Sequence, residues 1–343
     1  MRTAAARLLL AASLLLAAPA AAHAAWASID LPRQDVTLRA AAVQGPARFS
    51  VAGSKGTFAT TTNGGKTWRL AALPDGEAHD VRGHAWIDAR TAVALSAGEA
   101  AAGQAKLFRT TDGGATWSLV AETKEPGAFF DAIAFWDRRD GLVMGDPVGG
   151  AWFLLRTADG GRSWTRVAAT MPPLKPGEAA FAASNTALSL GRPGEAWIVS
   201  GGGEHGRVFR TTDFGRTWQV TDVAVAGSAT SGLFGAFHAG GGRGVVVGGD
   251  YKDELRAGPN IAVTADGGAT WTLATQTGTP RLLEAVGRLD AKTLLAVGPR
   301  GTSVSHDDGR SWTQVDEQAF HAIACAHGTC VAAGGKGHVG VWR

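Results

Sequence analysis

The sequence is poor in the residues that most redox, metal and nucleic-acid sites require. Its 343 residues include only two cysteines and one tyrosine, and they contain no run of five like charges. There are too few cysteines for an iron–sulfur cluster, and neither a CxxCH haem motif nor a strand-GxGxxG-helix unit is present. A nucleic-acid-binding domain would normally carry a clustered basic stripe. We therefore expect no cofactor, no metal and no nucleic-acid partner.

Long apolar runs are also missing, except at the N-terminus. Arg2 and Arg7 precede an apolar stretch over residues 8–18, which Pro19 and the small-x-small sequence at 22–24 follow. This arrangement is typical of a secretory signal peptide, and the stretch is too short to span a bilayer. The sequence predicts a signal peptide over 1–24 with cleavage near Ala24. The remaining single domain, 25–343, would be periplasmic or secreted, without a transmembrane segment.

The two cysteines, Cys325 and Cys330, lie five positions apart. In an oxidising compartment such a pair favours a local disulfide. A metal site would need more ligands than His321 and His327 offer nearby, and a redox-active pair is more often spaced CxxC. We predict a structural disulfide.

Glycine, by contrast, is abundant, and one glycine-containing octet is repeated. TTDGGATW occupies residues 110–117, and near copies read TTNGGKTW, TADGGRSW, TTDFGRTW, TADGGATW and SHDDGRSW. Successive copies are 41 to 54 residues apart, a period typical of repeat architectures. The 48 glycines and short apolar runs favour strands over amphipathic helices. The tryptophans that end the octets are Trp68, Trp117, Trp164, Trp218, Trp271 and Trp312.

The third octet position is acidic or an amide in every copy. A side-chain oxygen there can accept hydrogen bonds from the backbone ahead of it, and the glycine that follows permits a positive φ. We therefore interpret the octet as a hairpin clip. Catalytic carboxylates at this position would require several equivalent active sites around one rim, whereas active sites are few per protein. The residues concerned are Asn63, Asp112, Asp159, Asp213, Asp266 and Asp307.

The repeats are best explained as blades of a closed ring. The unit that begins at Asp131 contains four strand-length runs, and an octet joins the last two. Four antiparallel strands per repeat are typical of a β-propeller. After Trp312 the chain supplies only three more strands, while residues 26–29 resemble the missing fourth. The sequence predicts an all-β, seven-bladed β-propeller whose N-terminal strand completes the last blade.

A binding site is expected where the loops between second and third strands meet the links between blades, because both lie on the face opposite the octets. Asp250 with the lone Tyr251, and Glu204 with His205 after a glycine run, are the candidates for catalysis. The alternative is that these loops are solvated turns, and that Phe129, Phe130 and Phe181 only plug the channel. The residues predicted to form the partner face are Asp146, Glu178, Glu204, His205, Asp250, Tyr251, Arg300 and Lys336.

The octets resemble the Asp-box (BNR) repeat of sialidase-like propellers. Together with DAIAFWD, MGDP, VVVGGDY and VGPRGT, they are similar to the photosystem II stability/assembly factor family. This resemblance implies a non-enzymatic, monomeric scaffold. Its partner would be a protein, either a membrane protein or its exported tail. Short loops on a rigid frame suit such binding.

Two enzymatic alternatives remain open. A sialidase-like glycosidase would need an arginine cluster and a Tyr/Glu pair, yet the segment before the first octet reads ARFSVAG, and Tyr251 would have to be the nucleophile. Some relatives of this kind are labelled oxidoreductases, for which the sequence shows no cofactor motif. We therefore favour a binding protein over an enzyme.

Overall fold

The computed structural model describes residues 26–181, 184–278 and 281–343, and the predicted signal peptide, 1–24, lies outside them. Seven sheets form the blades of one propeller ring: each has four antiparallel strands, and the sixth blade carries one further strand. The first strand of each blade lies at the centre of the ring and contacts the first strands of its neighbours. This architecture confirms the all-β, seven-bladed prediction.

The strands follow one another in blade order. The first N-terminal strand and those of the first three blades are β1 (Ala27–Ser28), β2 (Leu38–Gly45), β3 (Arg48–Gly53), β4 (Thr57–Thr61), β5 (Arg69–Ala72), β6 (Asp80–Trp86), β7 (Ala92–Ala97), β8 (Lys106–Thr110), β9 (Ser118–Glu122), β10 (Phe130–Phe135), β11 (Gly141–Val148), β12 (Ala151–Thr157) and β13 (Thr165–Arg166). Those of the remaining blades are β14 (Leu188–Leu190), β15 (Ala196–Ser200), β16 (His205–Thr211), β17 (Gln219–Ala226), β18 (Ser231–Gly240), β19 (Arg243–Asp250), β20 (Ile261–Thr264), β21 (Thr272–Leu273), β22 (Thr275–Thr277), β23 (Ala285–Arg288), β24 (Leu294–Gly298), β25 (Gly301–Ser305), β26 (Ser311–Asp316), β27 (Ala322–Ala326), β28 (Thr329–Ala333) and β29 (Val339–Trp342).

The ring closes as the sequence predicts. Strand β1 pairs antiparallel with β29, with Ala27 opposite Val341, and so completes the seventh blade. Trp26 anchors this strand: its ring lies 5.0 Å from that of Phe320, and its Nε1 donates to Thr302 Oγ1 in the sixth blade at 2.8 Å. Closure therefore removes the free strand edge at which the two chain ends would otherwise fray.

Each octet forms the turn between the third and fourth strands of a blade. In the second blade, Thr110 Oγ1 donates to Asp112 Oδ1 at 2.8 Å and accepts from Gly114 N at 3.0 Å. The same carboxylate accepts from Thr116 N at 3.0 Å and from Thr116 Oγ1 at 2.6 Å. Bonds from Thr116 and Thr110 hold the pKa of Asp112 well below its usual range, although its slight burial opposes them. The octet is thus a self-satisfied hairpin clip, which is the structure expected from its residues.

The clip also joins each blade to the one before it. Gly114 has a φ of +83°, and a Cβ there would lie 2.8 Å from Phe58 Cε1 in the first blade, so this position requires glycine. The Trp117 ring packs edge-on against the same Phe58 at 4.7 Å. In the fifth blade, Trp271 packs likewise on Trp197 of the fourth. Local turn chemistry and packing between blades therefore depend on the same eight residues.

Two further features stabilise individual blades. Cys325 and Cys330 face each other across β27 and β28 and form the predicted disulfide. Strand β22 pairs in parallel with β26 and adds a fifth strand to the sixth blade, which the sequence did not predict. It arises because the link between the fifth and sixth blades runs along the outer edge of the latter.

Helical structure in the described residues is limited to single 3-10 turns. None of their helices is long and apolar enough to cross a membrane. The turns are Gly76–Ala78, Ala100–Ala102, Asn185–Ala187 and Gly335–Gly337.

The clip predicts a specific ranking of substitutions at Asp159 of the third blade. Asp159→Ala removes the acceptor for Ser163 N and Oγ and should lower the free energy of unfolding by about 1–3 kcal/mol. Asp159→Asn should cost much less, because Asn63 naturally holds the same position in the first octet and bonds to Thr67 N and Oγ1. Denaturant unfolding of the three proteins tests this ranking.

The pH dependence of the same proteins provides the control. Burial raises the pKa of Asp159, but its bonds to Ser163 and Thr157 outweigh this effect and lower it to about 2. The stability gained from the carboxylate is thus present above pH 4 and is lost as the pH falls towards 2. The gap between wild type and Asp159→Ala should narrow over that range. Equal stability of both proteins at pH 7 would contradict the clip.

Candidate binding site at the channel mouth

In four blades the register between the first and second strands shifts by one residue, each time near the start of the first strand. The extra residues are Arg39 in β2, Arg82 in β6, Asp131 in β10 and Phe234 in β18. A β-bulge leaves one residue unpaired and redirects its side chain. All four side chains line one cavity of about 340 Å³ at the end of the central channel. The bulges therefore build the site.

Loops and links complete the cavity wall. Phe129 and Phe181 come from links between blades, and Tyr251 comes from the loop between β19 and β20. The Phe181 ring stacks on Phe234 at 4.5 Å and meets the Tyr251 ring edge-on at 5.6 Å. The Tyr251 side chain is 43% exposed, so it forms the solvent-facing lip. One side of the cavity is thus an aromatic wall.

The cationic side of the cavity is tied to nearby acids. Arg82 Nε donates to Asp80 Oδ2 at 2.8 Å, and its guanidinium lies over the Phe129 ring. Burial lowers the pKa of Arg39, while the charge of Glu284 raises it. The His321 Nδ1 lies 2.6 Å from Glu284 Oε2, within hydrogen-bonding distance. These contacts fix the positions of the charged groups before any ligand arrives.

Two carboxyl groups have a different environment. Asp131 is fully buried, and neither of its oxygens has a hydrogen-bond partner in the part of the chain that the structure describes. Burial, together with the nearby charge of Asp146, raises its pKa well above the usual range, although Arg82 opposes this. Burial also raises the pKa of Asp146 to about 6, although its carboxylate accepts from Ala180 N at 3.1 Å. The burial of Asp131 therefore favours its protonated form.

The predicted site residues do not all meet at this cavity. Asp146 and Tyr251 line it, and Asp250 adjoins Tyr251. Asp250 caps a turn: it accepts from Lys252 N and from Arg256 Nη1. Burial raises its pKa, but these bonds and that of Thr230 lower it overall.

The other predicted residues are spread over the structure. Glu178 is buried in the fourth blade, where it accepts from Arg207 Nη1 at 2.6 Å and from Ser200 Oγ at 2.6 Å. Glu204 and His205 are exposed side by side. Arg300 is exposed and pairs with Glu254 at 2.6 Å, and Lys336 is exposed at a positive φ. Phe129 and Phe181 line the cavity, whereas Phe130 is buried within its own blade and packs against Phe153.

Sequence reasoning named Arg82 as a possible partner contact, but it missed Arg39, Asp131, Phe234 and Glu284 as site residues. A signal for them exists at the start of the first strands. There a large apolar residue, a variable residue and a small residue follow one another, and the middle residue faces the channel. The triplets are LRA at 38–40, VRG at 81–83, FDA at 130–132, LFG at 233–235, LEA at 283–285 and FHA at 320–322.

A second cavity, of about 410 Å³, lies on the octet face between the fourth and fifth blades. Its acids serve the fold: Glu195 accepts from Arg192 N, and Asp266 holds its own octet through Thr270. The charges of this groove are therefore largely explained by local turns. The channel mouth, with its unpartnered carboxyls, is the better candidate site.

Fold and site together define an Asp-box β-propeller with a polar, aromatic-walled cavity at one end of its channel. The family model described as "Photosynthesis system II assembly factor YCF48" matches residues 96–232. No curated protein matches the sequence. The family-model match supports a photosystem II assembly factor-like β-propeller family, and it confirms the resemblance identified from the octets.

Solved structures agree on the fold. "YCF48 bound to D1 peptide" is 16% identical, with a TM-score of 0.66 over 92% of this chain and 96% of that one. YCF48 from Cyanidioschyzon merolae is 14% identical, with a TM-score of 0.65 over 93% and 99% of the two chains. Virginiamycin B lyase from Staphylococcus aureus, at 15% identity, reaches 0.70 over 93% and 99%. At such low identity these similarities show the propeller fold alone.

The buried acid predicts an unusual pH effect on stability. The raised pKa of Asp131 means that its contribution to stability is full below about pH 4 and is lost as the pH rises through the folded pKa. Asp131→Asn cannot ionise. Its melting temperature relative to wild type should therefore become more positive by at least about 2 °C between pH 4 and pH 8.

Thermal unfolding at both pH values measures this difference. Glu122→Gln, at the exposed end of β9, is the control and should show no such trend. A difference between Asp131→Asn and wild type that stays constant with pH would contradict the burial of a protonated carboxyl.

Proposed function

We propose that this protein is an exported, non-enzymatic scaffold that binds a segment of a protein partner at the channel mouth. The partner would be a membrane protein or its exported tail. The observation that supports this most is the cavity itself, where four bulged residues place charges of both signs beside an aromatic wall. One similar propeller, described as YCF48 bound to a D1 peptide, makes a peptide ligand a reasonable expectation.

The groups named as catalytic candidates fit binding better than turnover. The oxygens of Asp250 already accept bonds from Lys252 N and Arg256 Nη1. A tyrosine nucleophile would need a carboxylate as its base, and the adjacent Asp250 carboxylate is already engaged by its own turn. The Tyr251 ring packs on Phe181 and widens the apolar wall. A contact surface is the simpler use of both residues.

Export is supported by two independent features. The N-terminal pattern over residues 1–24 is that of a secretory signal peptide. Cys325 and Cys330 form a disulfide, and disulfides persist mainly in oxidising compartments. We therefore propose a periplasmic or secreted location. We also propose a monomer, since β1 closes the ring without help from a second copy.

Site-specific crosslinking tests which face binds the partner. A photoreactive benzoylphenylalanine placed at Tyr251 should crosslink one defined protein when the exported protein is illuminated with its own membranes. The same residue placed at Leu273 is the matched control: both positions belong to the fifth blade and are 43% and 40% exposed, but Leu273 lies on the outermost strand. We expect capture from Tyr251 and none from Leu273.

Equal capture from both positions, or from neither, would contradict a partner site at the channel mouth. A panel of fluorogenic glycosides, run on the same preparation, should show no turnover. Turnover that Tyr251→Ala abolishes would instead establish the glycosidase alternative.

A further inference from the structure

The cavity contains two carboxyl groups, Asp131 and Asp146, that pair directly with no cation among the residues the structure describes. Asp131 is fully buried, with both oxygens unpartnered in the described residues, and Asp146 has Ala180 N as its recorded hydrogen-bond donor. A buried carboxyl without a partner is costly, and such groups are concentrated at functional sites. Asp131 in particular differs from the acids of the octets, turn caps and ion pairs described above, because both of its oxygens are unpartnered in the described residues.

The neighbouring cations have other partners. Arg82 donates through Nε to Asp80, and His321 bonds to Glu284. Arg39 interacts electrostatically with Glu284 and Asp80. Arg82 attracts Asp131 from a distance without bonding to it. In the described residues no cation bonds to Asp131, and its burial favours the protonated form.

We propose that the carboxyls of Asp131 and Asp146 together receive one hydrogen-bonding monocation of the ligand, an ammonium or guanidinium group. Assigning that group to a lysine or arginine side chain of a protein partner rests on the function proposed above. Each N–H donor would satisfy an oxygen that is unpartnered in the free protein, and charge-assisted bonds of this kind are the strongest available.

The rest of the cavity suits such a side chain. Ligand pockets generally range over about 300–1,000 Å³, so a cavity of about 340 Å³ accepts one long side chain and not a bulky ligand. The aromatic rings of Phe181, Phe234 and Tyr251 can cover its aliphatic stem, and a cation near their faces gains further attraction.

Binding of the cation is linked to release of a proton. Because burial favours the protonated form of Asp131, pairing with a cation draws the group towards ionisation, so the affinity should rise with pH. Charged groups of the described residues also act on the pair or on its neighbours. Those groups are Arg39, Arg82, Asp80, Glu99, Glu284 and His321.

Three fluorinated probes of similar shape separate the alternatives: 4-fluorobenzylammonium, 4-fluorobenzyl alcohol and 4-fluorobenzoate. Fluorine NMR line broadening with the mature protein at pH 8 measures the affinity of each probe. We expect the ammonium to bind at least about tenfold more tightly than the alcohol, as one charge-assisted hydrogen bond predicts, and the benzoate to bind weakest. The affinity of the ammonium should fall at least about tenfold between pH 8 and pH 5.

Variants identify the groups responsible. Asp131→Asn and Asp146→Asn should each weaken binding of the ammonium at least about tenfold at pH 8, and Asp131→Asn should reduce its pH dependence to the part that Asp146 causes. Glu122→Gln, away from the cavity, should leave both unchanged. Circular dichroism and melting temperature verify that each variant is folded, and Asp146→Asn provides the test if Asp131→Asn does not fold.

The outcomes separate this inference from the proposed function. Tighter binding of benzoate than of the ammonium, or equal affinities in wild type and both Asn variants, would overturn the cation site, even if Tyr251 crosslinks a protein. If the ammonium requires Asp131 but Tyr251 captures no protein, the cation site is supported, and its assignment to a partner side chain is overturned in favour of a small free amine. A capped Gly-Lys-Gly peptide that binds with the same dependence on Asp131 would support the side chain.

Discussion

The bond from the first hydroxyl of each octet to the acid or amide two residues later is the interaction on which the rest of this structure depends. It fixes the third-to-fourth strand turn with atoms from only eight residues, as Thr110 and Asp112 illustrate. The glycine two positions further on then lies so close to the preceding blade that Gly114 meets Phe58. A local hydrogen bond is thereby converted into packing between blades, and six repetitions define most of a ring.

Because the clips and the β1–β29 closure hold the blades together, the inner strands are free to depart from regular pairing. A bulge costs a ladder bond, yet here it redirects one side chain per strand into a shared space. Arg39, Arg82 and Asp131 reach the cavity in this way from three neighbouring blades. The rigid frame holds these charged side chains in buried positions. A mobile loop could not shield them from water in the same way. Structural repetition and local irregularity thus have separate roles, the first in stability and the second in shaping the cavity.

How far the sequence predicted this structure follows from the range of each interaction. The octets, the ring closure and the Cys325–Cys330 disulfide depend on close neighbours or on a repeated pattern, so they could be predicted. The parallel strand β22 depends on the path of a long link, which no local signal encodes. The Glu178–Arg207 pair joins positions 29 residues apart, and it changes Glu178 from an expected surface group to a buried one.

The candidate site was predictable only in part for the same reason. Asp146 and Tyr251 lie on loops, where polar residues attract notice, and both line the cavity. Asp131 lies near the start of strand β10. From sequence alone, its side chain would be assigned to one face of the strand by the usual alternation. A bulge shifts that alternation by one residue, and its presence depends on the partner strand as much as on the strand itself. The apolar-variable-small triplets show that the shift recurs, but their meaning is clear only once the ring is known.

Hydrogen–deuterium exchange of the mature protein, alone and with the protein captured by crosslinking at Tyr251, tests most directly the proposal that a partner binds at one end of the channel and that the octets at the other end serve only the fold. We predict that binding slows exchange in peptides covering 127–132 and 249–256, which border the channel mouth, and leaves the octets at 110–117 and 264–271 unchanged. Slower exchange confined to the octets would contradict the account, because the partner would then bind the face assigned here to structure alone.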